Sequence, residues 1–280
     1  MSMHREAWSA PGPPAGRSWG GLCVASAAWA GLALLSGCAA TAPESTEIRT
    51  ASDQTDADRR ARVRLELASL YFGRGQHNTA LDEVKLALLA QPDLAEAFNL
   101  RGLIYTGMGE AKLAEESFRR ALQLAPRDAD AIHNYGWFLC QQGRFGEAEA
   151  QFVRALEQPQ YRDQIRTLLV QGVCQARGGR LDAAERTLSR AYELDPANPA
   201  IAFNLSEVLL RRGELERARF YIRRVNARAE QTNAQTLWLA ARIEHRLGNA
   251  AGAQEWGRQL RDRFPQSTEA LQFDRRRFDD

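Results

Sequence analysis

The hydrophobic positions along the chain recur as a triplet: an alanine, a bulky residue four positions later, and a small or apolar residue three positions after that. A spacing of four and three places these side chains on one face of an α-helix. The triplet occurs six times, at Ala80, Val84 and Ala87; Ala114, Phe118 and Ala121; Ala148, Phe152 and Ala155; Ala184, Leu188 and Ala191; Ala218, Ile222 and Val225; and Ala253, Gly257 and Leu260. The steps between the leading alanines are 34, 34, 36, 34 and 35 residues, so the pattern predicts one helical unit repeated along the chain.

A glycine lies five residues before every leading alanine, where the preceding helix has to end. Glycine adopts the left-handed conformation of a helix C-terminal cap without a steric penalty. These glycines are Gly75, Gly109, Gly143, Gly179, Gly213 and Gly248. Prolines close four units at one relative position, at Pro92, Pro126, Pro196 and Pro265. Pro159 comes one place early, and Glu230 replaces proline in the fifth unit. Each unit is therefore predicted to be two helices joined by a tight turn.

A period close to 34 residues with this pattern of glycine and alanine is typical of tetratricopeptide repeats. We expect an all-α, superhelical solenoid of about six helix-turn-helix repeats, because one hairpin buries its apolar face only by stacking on the next. The expected repeats are residues 61–94, 95–128, 129–162, 165–198, 199–232 and 234–267. An ordinary helical bundle whose periodicity is accidental is the alternative.

The N-terminal region is different in kind from the repeats. Arg5 and Arg17 precede an apolar stretch from Gly20 to Cys38, which fits the positive and hydrophobic regions of a secretory signal. The stretch ends in LSGC, which resembles the bacterial lipobox. We expect residues 1–37 to be a lipoprotein signal peptide and Cys38 to become the lipidated N-terminus. The alternative is a membrane-spanning anchor in which the cysteine is incidental.

The residues that follow this cysteine predict where the protein is held. In the enterobacterial sorting rule, applied here by analogy, an aspartate directly after the lipidated cysteine opposes transfer to the outer membrane. This chain has Ala39 at that position, which favours the outer membrane. Residues 38–60 are polar and lack aromatic side chains, so we expect a flexible tether with a reach of roughly 25 Å. The predicted location is the periplasmic face of the outer membrane. Residues 268–280 are expected to be a C-terminal tail in which Arg275–Arg277 is solvated.

Composition and motifs give no indication of catalysis. The chain is 44% hydrophobic and 26% charged with a net charge of +2, which suits a globular protein and gives no reason to expect a nucleic acid partner. The glutamates near Ala114 and Ala148 stand at helix starts, where acidic side chains favour the helix dipole. No HExxH, GxSxG or P-loop motif occurs. The histidines do not pair at metal-ligand spacing; they are His4, His77, His133 and His245. We expect no enzyme activity, metal, cofactor or small-molecule substrate.

Two cysteines, Cys140 and Cys174, fall in the predicted first helices of adjacent repeats. We interpret them as buried thiols that act as small hydrophobic residues. A disulfide bond between them is the alternative, because the expected compartment permits disulfides.

Function is expected to reside in the concave face, which in tetratricopeptide arrays is lined by a fixed set of first-helix positions. In this register the predicted partner-binding groove consists of Asn99, Leu103, Thr106, His133, Trp137, Gln141, Leu169, Val173 and Phe203. The same set of positions also includes Cys140, Arg177, Glu207, Leu210 and Arg211. Trp137 and Phe203 are candidate anchors, because aromatic side chains often dominate binding surfaces; the alternative is that they pack against neighbouring helices. The lysine and asparagine clamp that grips acidic C-termini in other such domains does not occur at these positions.

Two stretches of sequence add a family resemblance. Residues 134–161, NYGWFLCQQGRFGEAEAQFVRALEQPQY, run into the fourth repeat with two extra residues, Asp163 and Gln164. Residues 260–268, LRDRFPQST, form a basic stretch with phenylalanine and proline. With the lipobox, the short tether and the repeats, the chain resembles the type IV pilus biogenesis and stability lipoproteins, the PilF/PilW-type pilotins, over nearly the whole mature chain.

The resemblance implies a non-enzymatic function. The lipoprotein would escort subunits of the type IV pilus secretin to the outer membrane, where they multimerise into the ring through which the pilus passes in twitching motility. It further implies that the secretin contacts the groove of the early repeats, which points to Asn99, Leu103, His133 and Trp137. The alternative is a lipid-anchored scaffold that gathers peptidoglycan enzymes of the cell envelope.

Overall fold

The fold is described by a computed structural model for residues 55–278. That part of the chain contains α-helices and no strand. The helices are α1 (Asp56–Gly73), α2 (His77–Ala90), α3 (Ala95–Met108), α4 (Ala111–Leu124), α5 (Ala129–Gln141), α6 (Phe145–Leu156), α7 (Gln164–Arg177), α8 (Leu181–Leu194), α9 (Pro199–Arg212), α10 (Leu215–Asn226), α11 (Ala234–Arg246), α12 (Ala250–Arg263) and α13 (Thr268–Asp274). The helices α1 to α12 form six hairpins, which we call repeats 1 to 6, and α13 follows the last of them.

The hairpins are arranged in a linear array. Within each repeat the two helices pack on each other, and each second helix also contacts the first helix of the following repeat. In the described residues, repeats that are not neighbours in the chain make no contact. A helical bundle would bring distant hairpins together, so this contact pattern confirms the predicted tetratricopeptide solenoid and excludes the bundle.

In repeats 2, 3 and 4 the hairpin closes where a bulky side chain of the second helix packs on a glycine of the first. A Cβ atom added to Gly102 would lie 2.7 Å from the ring of Phe118, and one added to Gly136 would lie 2.9 Å from the ring of Phe152. Gly172 meets Leu188 in the same way. The bulky member of each pair is fully buried. In these three repeats the bulky residue of the triplet fills the space that the glycine leaves open, which lets the two helices pack closely.

The glycines between the paired helices have the left-handed conformation that the sequence predicted. All six have positive φ, as at Gly109 (79°) and Gly213 (80°). At the end of α3 the Glu110 backbone N–H donates to the Tyr105 carbonyl at 2.9 Å, which satisfies one of the last carbonyls of the helix. The tight turns therefore follow from the glycines themselves.

The first helix begins earlier than the sequence predicted. The tether was expected to extend to residue 60, but α1 starts at Asp56. The cause is a capping box in which the Thr55 hydroxyl accepts from the Asp58 N–H at 3.1 Å and the Asp58 carboxylate accepts from the Thr55 N–H at 3.2 Å. This pair of bonds satisfies backbone donors at the start of the helix and fixes its first turn.

The C-terminal residues add a helix that the repeat pattern did not reveal. Helix α13 packs on α11 and α12, and its Phe273 ring lies over Gly257. Gly257 is the position at which every other repeat carries its bulky residue, so Phe273 supplies from outside the repeat the side chain that the second helix lacks. Ala270, Phe273 and Phe278 are buried in this last hydrophobic cluster.

The predictions for the N-terminal region concern residues outside the described part of the chain. They are the signal peptide at residues 1–37, lipidation of Cys38 and most of the tether. Within residues 55–278, no helix combines the length and the apolar character that crossing a membrane requires.

Candidate partner-binding groove

The first helices of the repeats line the inner face of the solenoid. The consecutive first helices α1, α3, α5, α7, α9 and α11 contact one another from repeat to repeat. The second helices within residues 55–278 make no such contacts with each other. An array in which one row of helices is closer together curves toward that row, so the concave groove is formed by the first helices.

At repeats 2 to 4 the groove carries a ladder of polar side chains. Asn134 donates from Nδ2 to Asn99 Oδ1 at 3.2 Å, and Arg166 donates to Asn134 Oδ1 at 3.4 Å. The two asparagines and the arginine belong to α3, α5 and α7, so this ladder links three consecutive first helices. The predicted groove residue Asn99 is thus half-buried and already holds a neighbouring repeat.

Two further predicted residues of α3 contribute differently. Leu103 is half-buried and packs against the hydrophobic cluster of repeats 2 and 3. Thr106 donates its hydroxyl to the Gly102 carbonyl of its own helix at 2.8 Å. Leu103 therefore offers a partly exposed apolar surface, whereas the Thr106 hydroxyl is engaged within its own helix.

His133 has to be corrected as a groove residue. Its side chain is only 2% exposed, and its Nδ1 lies 2.8 Å from the Thr167 hydroxyl. Thr167 also bonds to the Tyr161 hydroxyl at 2.6 Å. Burial, with a smaller contribution from the positive charge of Arg166, lowers the pKa of His133 to about 4. His133 is therefore a neutral residue inside the junction between repeats 3 and 4, and a partner in the groove does not reach its ring.

The middle of the groove carries Trp137. Its indole is half-buried against the cluster of repeats 2 and 3, and the guanidinium of Arg177 lies 5.7 Å from the ring centroid. Gln141, one turn further along α5, is exposed. Trp137 thus packs against its neighbours, as the alternative interpretation held, and still exposes part of its surface.

Repeats 4 and 5 continue the groove with apolar side chains. Leu169 and Phe203 are half-buried and pack against the largest hydrophobic cluster. Val173 is also half-buried. Leu210, at an equivalent position, is only 3% exposed and belongs to that core. The partly exposed apolar surface therefore runs from Trp137 through Leu169 and Val173 to Phe203.

The interpretation of Cys140 and Cys174 as two thiols is wrong. The two residues form a disulfide bond across 34 positions of sequence, with their Cα atoms 5.8 Å apart. The physical reason is that α5 and α7 contact each other, which brings the two buried side chains within the Cα separation that a disulfide spans. The bond joins repeats 3 and 4 directly behind the surface that carries Trp137.

An exposed apolar surface on repeat 1 was not found by sequence reasoning. Val63 and Leu70 of α1 are 50% and 58% exposed, and Leu86 and Leu89 of α2 are 40% and 78% exposed. Val63 and Leu70 are seven residues apart, which is a helical spacing, so the sequence did contain a signal. Val63 and Leu70 belong to the first helix of the array, on which no preceding repeat of the described residues packs.

A cleft at the junction between repeats 3 and 4 was also missed. It has a volume of about 540 Å³ and is lined by residues that include Arg127, Asp130, Tyr161 and Asp163. The longer loop before α7 creates it, because Tyr161 folds inward onto Ile132 and Ala155. Burial, reinforced by Asp128 and Asp163, raises the pKa of the Asp130 carboxyl.

The described residues offer no metal centre. No three side chains among the histidines, cysteines, aspartates and glutamates of residues 55–278 are arranged to hold a metal ion. The surfaces described above are grooves of helix faces, which suit contacts with another protein.

Comparison with known proteins identifies the class first. Models of the tetratricopeptide repeat match residues 65–129, 105–171 and 176–237. The fold is therefore that of a tetratricopeptide protein, a scaffold for protein interactions. A search of curated protein sequences finds no match.

Solved structures then narrow the class to a family. The crystal structure of PilW, a widely conserved type IV pilus biogenesis factor, is 32% identical with a TM-score of 0.71, covering 75% of this chain and 96% of that one. PilF of Pseudomonas aeruginosa is 25% identical with a TM-score of 0.68, covering 79% of this chain and all of that one (100%). YrrB, a tetratricopeptide protein with an unusual peptide-binding site, shares the fold alone at 20% identity, a TM-score of 0.53, and coverage of 69% and 97%. The chain belongs to the PilF/PilW-type family of tetratricopeptide proteins.

Proposed function

We propose that this chain is an outer-membrane lipoprotein that binds the type IV pilus secretin and promotes its localisation and multimerisation. The observation that carries the proposal is the similarity to PilW, which extends over 96% of that type IV pilus biogenesis factor. The lipobox at Cys38 supports the membrane location, and Ala39 supports the outer membrane. In this proposal the protein has no catalytic role, and its action is binding alone.

The lipid and the solenoid have separate tasks in this mechanism. Each buried methylene contributes about 0.8 kcal/mol to membrane affinity, so two or three acyl chains anchor the protein durably where one does not. The tether then leaves the solenoid free to meet secretin subunits near the membrane. The protein raises the local concentration of subunits where they have to assemble.

The groove supplies the surface for the secretin. Trp137 and Phe203 are rigid aromatic side chains that are already packed on one side, so little conformational entropy is lost when a partner covers the other side. The disulfide between Cys140 and Cys174 holds repeats 3 and 4 in register behind this surface.

The test is the amount and membrane location of SDS-resistant secretin multimer. It is measured in a strain that lacks the chain and is complemented with wild type, Cys38→Ala, Trp137→Ala or Phe220→Ala. Phe220 is the matched control, because it is an aromatic residue that is 54% exposed on the second helix α10, away from the groove. Circular dichroism of each purified variant separates loss of binding from loss of fold.

We expect multimers to be absent or to remain in the inner membrane without the chain and with Cys38→Ala. Trp137→Ala should reduce the amount of multimer, and Phe220→Ala should leave it unchanged. Normal outer-membrane multimers in the deletion strain would refute the pilotin function, and a change in cell shape there would favour the scaffold for peptidoglycan enzymes.

A further inference from the structure

The C-terminal segment of the chain occupies the groove face of repeat 6. The ring of Phe278 stacks on His245 with centroids 4.1 Å apart and on Trp238 with centroids 5.3 Å apart. Arg242 donates from Nε to the Phe278 carbonyl at 2.9 Å. Arg276, which has a positive φ of 53°, turns the chain back toward α11.

These contacts fall on groove positions of α11. By the repeat register, Trp238 and Arg242 are equivalent to Phe203 and Glu207 of α9, each 35 residues earlier. Phe278 is 8% exposed, so the groove face of repeat 6 is filled by an aromatic side chain whose main chain is held by an arginine. In sequence, Phe278 is followed by Asp279 and Asp280. The ring that docks on repeat 6 is thus followed in the sequence by two acidic residues, which lie outside the described part of the chain.

One groove position carries arginine in three successive repeats. Arg177, Arg211 and Arg246 stand at the C-terminal ends of α7, α9 and α11, separated by 34 and 35 residues. Arg177 lies over the Trp137 ring, and Arg211 donates to the Ala176 carbonyl at 3.0 Å. These contacts hold each of the two guanidinium groups against the preceding repeat.

Arg177 and Arg211 are exposed and pair with no carboxylate in residues 55–278, in contrast to arginines between the repeats. Arg212, for example, pairs with Asp182 and Glu185 at 2.6 Å and with Glu214 at 2.9 Å. Glu207 lies one turn before Arg211 and forms no ion pair with it in the described chain. The edge formed by Arg177 and Arg211 therefore has unneutralised positive charge beside the Trp137 ring.

We propose that this edge of repeats 3 to 5 binds an extended protein segment that carries an aromatic side chain followed by carboxylates. The ring would lie against Trp137, and the carboxylates would pair with Arg177 and Arg211. An extended peptide places every second side chain on the same face, about 7 Å apart, and packed helices are about 8–10 Å apart, so the ring and the two carboxylates fit best at alternate positions of the peptide. The inference rests on the proposed function in one respect, namely that the groove is the surface that binds a protein partner.

The test is fluorescence anisotropy with the full mature chain in detergent and a labelled peptide, GSFSDSDSG, whose phenylalanine and two aspartates share one face when the peptide is extended. Two matched peptides replace either both aspartates with asparagine or the phenylalanine with alanine. The double variant Arg177→Gln/Arg211→Gln is compared with Arg186→Gln/Arg190→Gln, which removes two exposed arginines from the second helix α8. We expect the aspartate peptide to bind best, to weaken as salt is added, and to lose about tenfold in affinity with the groove variant only.

Several results would overturn the inference. They are equal binding of the aspartate and asparagine peptides, an equal loss with the α8 control, and no binding of the aspartate peptide up to about 1 mM. Binding of vesicles with anionic phosphatidylglycerol that depends on Arg177 and Arg211, without peptide binding, would assign the edge to lipid instead. If the peptide test fails while secretin multimers still depend on the chain, this inference is wrong and the proposed function stands. If the groove binds the peptide selectively while multimers are normal in the deletion strain, the secretin is not the partner and this inference stands.

Discussion

The ring of Phe273 lies over Gly257, in the place where a Cβ atom of residue 257 would stand. Phe273 belongs to α13, and Gly257 to the second helix of repeat 6. The same relationship holds within earlier repeats, where Phe118 of the second helix covers Gly102 of the first. The last repeat therefore completes its core with a side chain from a helix outside the repeat, and α13 caps the solenoid.

Removing this cap side chain should destabilise the end of the array. Phe273 is 4% exposed and contacts Trp238 edge-to-face, so Phe273→Ala is expected to cost about 3 kcal/mol in the free energy of unfolding. Urea unfolding followed by circular dichroism measures the loss, and hydrogen exchange should locate it in α11 to α13. Phe220→Ala, at a position that is 54% exposed, is the control and should change stability little. Equal effects of the two substitutions would contradict the capping role of α13.

Phe118 and Phe273 show what the sequence could and could not predict. The repeat period predicted that Phe118 packs in the core of a hairpin, because it stands in register with the bulky residues of other repeats. It gave no register for Phe273, which follows the last repeat. Within the groove, His133 and Leu169 are at equivalent positions and the period treated them alike. His133 is buried because Tyr161, from the longer loop before α7, approaches Thr167 beside it. Insertions and termini break the register, so contacts that depend on them have to be observed.

The disulfide should contribute strongly to stability. A bond between Cys140 and Cys174, 34 residues apart, restricts the unfolded chain by about 3.8 kcal/mol in the chain-entropy model. Urea unfolding with and without dithiothreitol measures this contribution. The double variant Cys140→Ala/Cys174→Ala is the control, because its stability should be insensitive to the reductant. If dithiothreitol shifts both proteins equally, or neither, the bond does not stabilise the fold in this way.

Acidification should destabilise the junction between repeats 3 and 4 through His133. Its folded-state pKa of about 4 lies below the ordinary value of 6.5, so the unfolded state binds the proton first as the pH falls. Well above pH 6.5 the imidazole is neutral in both states and has no effect on stability. Between 6.5 and 4 the free energy of unfolding should fall by about 3 kcal/mol on account of this group.

The measurement compares wild type with His133→Asn, whose side-chain amide can still bond to Thr167 but does not titrate in this range. Acidic groups common to both proteins cancel in the difference between their stability curves. The difference should grow from pH 6.5 toward pH 4, and NMR should show the His133 ring titrating near the lower value. Parallel stability curves for the two proteins would show that the ring is not buried in its neutral form.

Glu244 should be the carboxylate whose loss costs most in the last two repeats. Its side chain is 1% exposed and accepts from Arg223 at 2.6 Å and from Asn249 Nδ2 at 2.8 Å, which joins α10, α11 and the turn before α12. Glu244→Ala leaves these donors without their acceptor inside a packed junction, so we expect a loss of about 3 kcal/mol. Asp93→Asn is the control, since Asp93 pairs with Arg120 at 2.7 Å on the surface, where solvent replaces the lost bond. Urea unfolding of both variants tests the contrast. If Asp93→Asn costs as much as Glu244→Ala, burial does not set the strength of these ion pairs.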